Sequence, residues 1–142
     1  MFRALTDKVY ASPQIGLADV AEAKALGVGL IVNNRPEGES DDQPPGAEIE
    51  RAAREAGIDY AAIPVTHSGF SHSQLDAFNH ALERAGAMSN GGKVLAFCRS
   101  GTRSTFLWAL ARAKAGDDPQ QIARKAAAVG YDLTPILPYL RG

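Results

Sequence analysis

The residues best suited to chemistry lie in the segment "CRSGTRS", residues 98–104. It begins with Cys98, the only cysteine of the chain, and contains Arg103. The apolar run "VLAF" precedes it and an apolar helical pattern follows it, which predicts a strand, a short loop and a helix N-terminus. Backbone N–H groups and the helix dipole at such a terminus bind anions. We therefore expect Cys98 to be a thiolate nucleophile at neutral pH.

The other residues of this segment suit an anion-binding loop. Gly101 allows backbone conformations that a side chain would forbid. Arg103 can place a planar fork of donors over a bound oxyanion. The residues predicted to bind substrate or brace the loop are Arg99, Ser100, Gly101, Thr102 and Ser104. An ordinary buried cysteine is the alternative for Cys98, but the glycine, the arginine and the helix that follow favour the nucleophile.

The elements that must position this loop alternate along the chain. Apolar runs predict strands at residues 8–12, 28–32, 58–65 and 93–98, with helices between them. This alternation predicts an α/β protein with a mainly parallel central sheet flanked by helices. Ligands of such sheets gather at the carboxyl ends of the strands. Cys98 should therefore meet the loops that start near Asn33 and Val65.

Several helix boundaries carry local signals. Ser71 with Gln74 forms a capping-box pattern. Asp118 precedes a proline and is predicted to be the N-cap of another helix. The helix after the cysteine is predicted to begin at about Ser104.

Two loops at the cysteine edge contribute further candidates. Arg35 and Glu37 form either a rim that contacts the substrate or the cysteine loop, or a solvated turn with one ion pair. The loop over residues 64–73 contains no Asp or Glu, and Asp76 falls inside a predicted helix. His67 is therefore the candidate proton donor for phosphate chemistry, with an ordinary loop histidine as the alternative. Three scattered histidines and one cysteine predict no metal site, and we expect no cofactor.

The composition limits the class of protein. The 142 residues suit one catalytic domain, residues 1–142. A net charge of −1 gives no general case for binding nucleic acid or an anionic membrane, so we expect a small anionic substrate. A lone cysteine fits a reducing compartment, and "MFRALTDKVYASPQI" lacks the apolar core of a signal peptide or membrane anchor. We expect a cytoplasmic protein; the oligomeric state is left open.

The cysteine segment resembles the active-site loops of two families. Protein tyrosine and dual-specificity phosphatases carry His-Cys, five residues and Arg, whereas here Phe97 replaces the histidine and four residues separate Cys98 from Arg103. Rhodanese-type sulfurtransferases carry a six-residue loop that "CRSGTR" matches.

With "NNRPEGE", "IPVTHSGFS" and "AAAVGYDL", nearly the whole chain resembles the bacterial beta-lactamase hydrolase-like, phosphatase-like domain family. The resemblance implies a cysteine-phosphatase-like three-layer sandwich and a thiolate enzyme with sulfurtransferase or phosphatase activity. Family members stand alone or are fused to persulfide dioxygenases, which implies such an enzyme as a partner.

Two features favour sulfur over phosphorus. A loop one residue shorter encloses less space for a phosphoryl group, and the loop over residues 64–73 lacks a carboxylic acid for the leaving oxygen. We therefore expect a sulfurtransferase in which Cys98 takes sulfur from thiosulfate or a persulfide, with Arg103 holding the donor. A phosphatase with a phosphocysteine at Cys98 is the first alternative. A non-catalytic module that binds anions or phosphoproteins is the second.

Overall fold

The computed structural model of the protein describes residues 2–66, 68–88 and 91–140. The strands are β1 (Arg3–Ala4), β2 (Val9–Ser12), β3 (Val28–Asn33), β4 (Asp59–Ala62) and β5 (Lys93–Phe97). The helices are α1 (Leu17–Ala25), α2 (Gly46–Glu55), α3 (His72–Gly86), α4 (Thr102–Lys114), α5 (Pro119–Ala128) and α6 (Leu137–Leu140), with a 3₁₀ turn over Thr134–Ile136 before α6. No helix in the described ranges is long and apolar enough to cross a membrane.

The five strands form one sheet in the order β1-β2-β5-β3-β4. β1 is antiparallel to β2, and the other pairings are parallel. β5 lies in the centre, where Phe97 pairs with Ser12 of β2 on one side and Asn33 of β3 on the other. Cys98 therefore leaves the sheet at the middle of its carboxyl edge, and the predicted α/β fold with a mainly parallel sheet is confirmed.

Apolar side chains from both faces of the sheet pack against helices. Along β3, Leu30 and Val32 belong to the core that includes side chains of α3, α4 and α5, whereas Ile31 belongs to the core with α1 and α2. This is the side-chain alternation of a strand buried on both faces. Helix layers on either side of one sheet give the three-layer sandwich that the resemblance implies.

The predicted strand ends differ from the observed ones by up to three residues, and two shifted boundaries affect the loops beside the cysteine. The third predicted strand ends at Ala62 rather than at residue 65, and the chain continues with Val65 N donating to Asn34 O at 2.9 Å. α4 begins at Thr102, two residues before the predicted start, because Gly101 serves as its N-cap with a φ of 90°. The first turn of α4 therefore lies within the cysteine loop.

The capping predictions are confirmed. Ser71 Oγ accepts from Gln74 N at 3.3 Å, while Gln74 Oε1 accepts from Ser71 N at 2.8 Å. Asp118 Oδ1 accepts from Gln120 N at 3.1 Å at the start of α5. Strand β1 consists of two residues, both paired with β2, and a strand this short leaves no periodic pattern in the sequence.

Candidate active site

Cys98 lies directly after β5 and is fully buried. Its N–H donates to Ser12 O at the end of β2 at 3.3 Å, so the loop starts in register with the sheet. Its Sγ accepts a hydrogen bond from Gly101 N at 3.1 Å. A backbone donor aimed at the sulfur from the N-terminus of α4 stabilises negative charge there.

The left-handed conformation of Gly101 allows its N–H to point at the Cys98 sulfur. Its φ of 90° lies in the left-handed region that favours glycine, and a Cβ atom there would overlap the hydroxyl of Tyr131. Its carbonyl oxygen accepts from Thr105 N at 3.0 Å and Thr105 Oγ1 at 2.8 Å, as expected at a helix start. Beside it, Ser100 Oγ donates to Thr102 Oγ1 at 3.0 Å and accepts from Thr102 N at 3.3 Å. These contacts hold the loop against α4.

Arg103 is held by two acceptors. Its Nη1 donates to Glu39 Oε2 at 2.7 Å and to Val65 O at 2.8 Å, and its Nη2 donates to Glu39 Oε1 at 2.7 Å. The hydrogen bond to Glu39 raises the pKa of Arg103, and the neighbouring Cys98 sulfur adds to this. A guanidinium has five N–H donors. The contacts with Glu39 and Val65 use three, so Nε–H and one Nη2–H are the donors that can serve the neighbouring Cys98 sulfur and a bound oxyanion.

Glu39 is the residue that fixes Arg103, and the sequence reasoning missed it. Its side chain is 15% exposed and also accepts from Arg35 Nε at 3.0 Å. The hydrogen bond from Arg103 lowers the pKa of Glu39 to about 2, with Arg35 adding to the shift and burial opposing it. Glu39 is therefore ionised at neutral pH and acts as an anchor for the arginine, not as a proton donor. Its position four residues after Arg35 was the available signal.

The two predicted rim residues lie in different surroundings. Arg35 is buried, and its guanidinium connects Glu39 to Gln14 Oε1 (3.0 Å) and Ser40 Oγ (2.8 Å). It therefore supports the residue that holds Arg103. Glu37 lies elsewhere, because its Oε1 accepts from Gly46 N at 2.8 Å at the start of α2. This contact gives Glu37 a role in the helix start.

The remaining predicted residues are distributed around the loop. Arg99 is exposed, and its carbonyl oxygen accepts from Gln14 N at 3.2 Å. Ser104 is buried, and its Oγ donates to Asn34 Oδ1 at 2.7 Å. Because a hydroxyl carries one proton, Ser104 connects α4 to the end of β3 and does not donate to the sulfur in this arrangement. His67 lies outside the described residues, and its role as an acid stays a prediction.

The described part of the loop after β4 contains no carboxylate that could act as an acid. Asp76 lies in α3, as predicted, and accepts from Lys114 Nζ at 2.8 Å near the end of α4. The hydroxyls of Thr66 and Ser68 hydrogen-bond to each other. No group of three or more potential metal-ligating side chains occurs in the described ranges.

The chain is similar to proteins of one family. The family model described as "Beta-lactamase hydrolase-like protein, phosphatase-like domain" matches residues 1–115. Beta-lactamase hydrolase-like proteins of Xylella fastidiosa and Agrobacterium fabrum are each 32% identical over 81% and 79% of this chain. The match covers 26% and 25% of those proteins, so this chain spans about a quarter of their length.

Solved structures with phosphatase-like folds are similar to the chain over nearly its whole length. A provisionally assigned phosphatase from Neisseria meningitidis is 32% identical, with a TM-score of 0.81 over 98% of this chain and 95% of that one. Kinase-associated phosphatase, at 18% identity, has a TM-score of 0.70 over 94% of this chain and 82% of that one. PTPMT1, at 13% identity, also has a TM-score of 0.70, over 99% and 92%. These last two likenesses concern the fold alone.

The sulfurtransferase prediction is wrong, because the family model and the similar structure from Neisseria meningitidis point to a phosphatase-like protein. Loop length alone does not decide between sulfur and phosphorus, because α4 begins at Thr102 and brings its first N–H groups into the loop. The absence of a carboxylate after β4 concerns which esters can be cleaved, and not whether phosphorus can be attacked.

Proposed function

Because the chain belongs to the phosphatase-like domain family of beta-lactamase hydrolase-like proteins, we propose that it hydrolyses phosphate monoesters through a phosphocysteine at Cys98. The observation that carries this proposal is the hydrogen bond from Gly101 N to Cys98 Sγ at 3.1 Å, next to an arginine that Glu39 holds at two atoms. A nucleophile, anion-binding N–H groups and a fixed cation thus lie in one loop.

The first step transfers the phosphoryl group to sulfur. The Cys98 thiolate attacks phosphorus, an S–P bond forms, and the bond from phosphorus to the ester oxygen breaks with its electron pair on that oxygen. The three equatorial phosphoryl oxygens need donors at the same time. The N–H groups at the start of α4 and the Nε–H/Nη2–H edge of Arg103 supply them, since Glu39 and Val65 occupy the other edge.

The second step returns the free enzyme. Water attacks phosphorus, the S–P bond breaks with its electron pair on sulfur, and inorganic phosphate leaves. The same N–H groups and Arg103 hold the phosphoryl oxygens in this step, while Gly101 N–H stabilises the departing thiolate. No redox change or further reactant is involved.

The leaving oxygen needs a proton unless it is a weak base. Glu39 cannot supply one at neutral pH, because the two arginines lower its pKa to about 2. His67 or water takes the place of the missing carboxylic acid, so esters whose oxygen leaves without a proton are the proposed good substrates. The predicted persulfide dioxygenase partner and cytoplasmic location stay predictions.

Hydrolysis of 4-nitrophenyl phosphate tests the proposal directly. The wild type should release 4-nitrophenolate and phosphate, and rapid acid quenching should give a protein whose mass is increased by one phosphoryl group at Cys98. Cys98→Ser should lose both signals, because a serine hydroxyl is far less acidic than a thiol and the contacts described around residue 98 include no base to activate it. A wild type that binds phosphate but shows neither turnover nor the mass increase would instead support a non-catalytic anion-binding module.

A further inference from the structure

The cysteine loop has a contact from the C-terminal part of the chain that the proposed reaction does not use. Tyr131 lies in the turn after α5, beyond residues 1–115 that the family model matches. The residue is 7% exposed, and its Oη donates to Ser100 O at 3.4 Å. The same hydroxyl lies against Gly101, at the position that a Cβ atom would occupy. The phenol thus fills the space that the missing side chain of Gly101 leaves.

The carbonyl that Tyr131 contacts and the N–H that faces the sulfur belong to the same peptide group. Ser100 C=O and Gly101 N–H are the two ends of one planar unit, and Gly101 N donates to Cys98 Sγ at 3.1 Å. A donor at the carbonyl end fixes the orientation of that plane and polarises the N–H at its other end. Tyr131 can therefore influence the hydrogen bond to the sulfur through the Ser100–Gly101 peptide, without contacting the sulfur itself.

The phenol itself is held in place. The guanidinium of Arg3 lies 4.9 Å from the centroid of its ring, and Arg3 Nη1 donates to Val129 O at 3.0 Å. The backbone N–H of Tyr131 donates to Ala126 O at 3.0 Å at the end of α5. Burial raises the pKa of Tyr131 and outweighs the opposing effects of the Arg3 charge and of a hydrogen bond with Thr105, while the nearby Cys98 sulfur adds to the increase, so the hydroxyl keeps its proton as a donor at neutral pH.

We propose that Tyr131 is a positioning residue of the cysteine loop. Its hydroxyl holds the Ser100–Gly101 peptide so that Gly101 N–H points at the Cys98 sulfur and stabilises negative charge there. The effect on turnover rests on the proposed phosphatase function, but the effect on the thiol does not.

Tyr131→Phe tests this inference, since it removes the hydroxyl and keeps the ring. The measurement is the rate at which iodoacetamide alkylates Cys98 at about pH 6 and about pH 10, where a free thiol is respectively protonated and ionised. We expect the variant to react roughly three- to tenfold more slowly at the lower pH, the factor for one lost hydrogen bond. At the higher pH both proteins should react at the same rate.

Tyr139→Phe is the matched control. It removes the same hydroxyl group from a tyrosine of α6 that is 69% exposed and has no described contact with the cysteine loop. Its ratio of the two alkylation rates should equal that of the wild type. The proposal is overturned if Tyr131→Phe keeps the wild-type ratio, even with a lowered melting temperature, or if both variants change the ratio alike.

The test separates this inference from the proposed function, because alkylation needs no phosphate ester. A wild type without phosphatase activity whose alkylation still depends on Tyr131 would retain the inference and refute the function. In an active enzyme, Tyr131→Phe should lower kcat and leave KM unchanged.

If Tyr131→Phe does not fold, Arg3→Gln provides a second test. It loosens the ring of Tyr131 and should slow alkylation at about pH 6 by a smaller factor, and an unchanged rate would overturn the proposal.

Discussion

The loops that follow β3 and β4 reach the same edge of the sheet but are built from different side chains. In the loop after β3, Arg35 holds Glu39 and Ser40, and Glu39 N donates to Gln43 Oε1 at 2.9 Å. In the described part of the loop after β4, Thr66 and Ser68 bond to each other, and no carboxylate occurs. Ion pairs and hydrogen bonds between side chains connect the loop after β3, whereas the described part of the loop after β4 presents hydroxyl groups and backbone atoms.

This difference separates two tasks of a phosphatase. The loop after β3 fixes the cation that binds the phosphoryl group in the proposed reaction, because Glu39 holds Arg103 at two atoms. The loop after β4 contributes Val65 O to the same arginine but no acid among its described residues. Binding of the anion is therefore preorganised, whereas delivery of a proton to the leaving group is not built from a carboxylate.

The largest expected effect concerns the missing acid. The wild type should hydrolyse 4-nitrophenyl phosphate at least about 10²-fold faster than an alkyl phosphate, because general acid catalysis contributes roughly 10²–10⁴-fold and only the alkyl oxygen needs it. The values of kcat/KM for the two esters give the ratio.

Similar kcat/KM values would mean that a proton donor serves the leaving group after all. The next comparison would then be His67→Ala with His72→Ala, which lies at the exposed start of α3. Loss of alkyl phosphate hydrolysis in His67→Ala alone would identify the donor.

The next effect concerns the cation. Arg103→Lys should lower kcat/KM for 4-nitrophenyl phosphate by about 30- to 1,000-fold, since a lysine keeps the charge but cannot bind Glu39 and an oxyanion with two separate edges. Arg99→Lys is the control, because Arg99 is exposed and its side chain is unconnected to that anchor in the described contacts. Equal activity of the two variants would remove Arg103 from the mechanism.

Much of this site could be predicted from the sequence because its central part is local. Cys98, Gly101 and Arg103 lie within six consecutive residues at a strand-to-helix junction, and strand and helix periodicity are local signals. The parallel sheet followed from the alternation of those signals. The end of β4 was misplaced because "IPV" is apolar enough to continue a strand, whereas its N–H groups pair with the segment that leaves β3.

The residues that were missed act across long sequence separations. Glu39 meets Arg103 from a loop 64 positions away, and Tyr131 meets Ser100 from 31 positions away. In the sequence, the two glutamates of "PEGES" differ only in their spacing from Arg35, which does not reveal the contact of Glu39 with Arg103. Only the folded chain directs Glu37 to the start of α2 and Glu39 to Arg103.

The smallest expected effect tests that distinction between the two glutamates. Glu39→Gln should lower kcat/KM about tenfold, because it replaces a charged two-point anchor of Arg103 by a neutral amide. Glu37→Gln should leave kcat/KM within about twofold of the wild type, since its contact lies at the start of α2. Equal losses in both variants would show that the whole loop supports the site and that Glu39 has no special part.

Acid unfolding checks the same ion pair without a substrate. The pKa of Glu39 in the folded protein is about 2, compared with 4.5 for the free side chain. A carboxylate with a lowered pKa stabilises the folded state above its free pKa, and this stabilisation disappears as the pH falls from about 4.5 to about 2. The wild type should therefore lose on the order of 2–3 kcal/mol more unfolding free energy than Glu39→Gln between about pH 6 and about pH 2, measured by urea unfolding. A constant difference between the two proteins over this range would mean that Glu39 and Arg103 are not paired in solution.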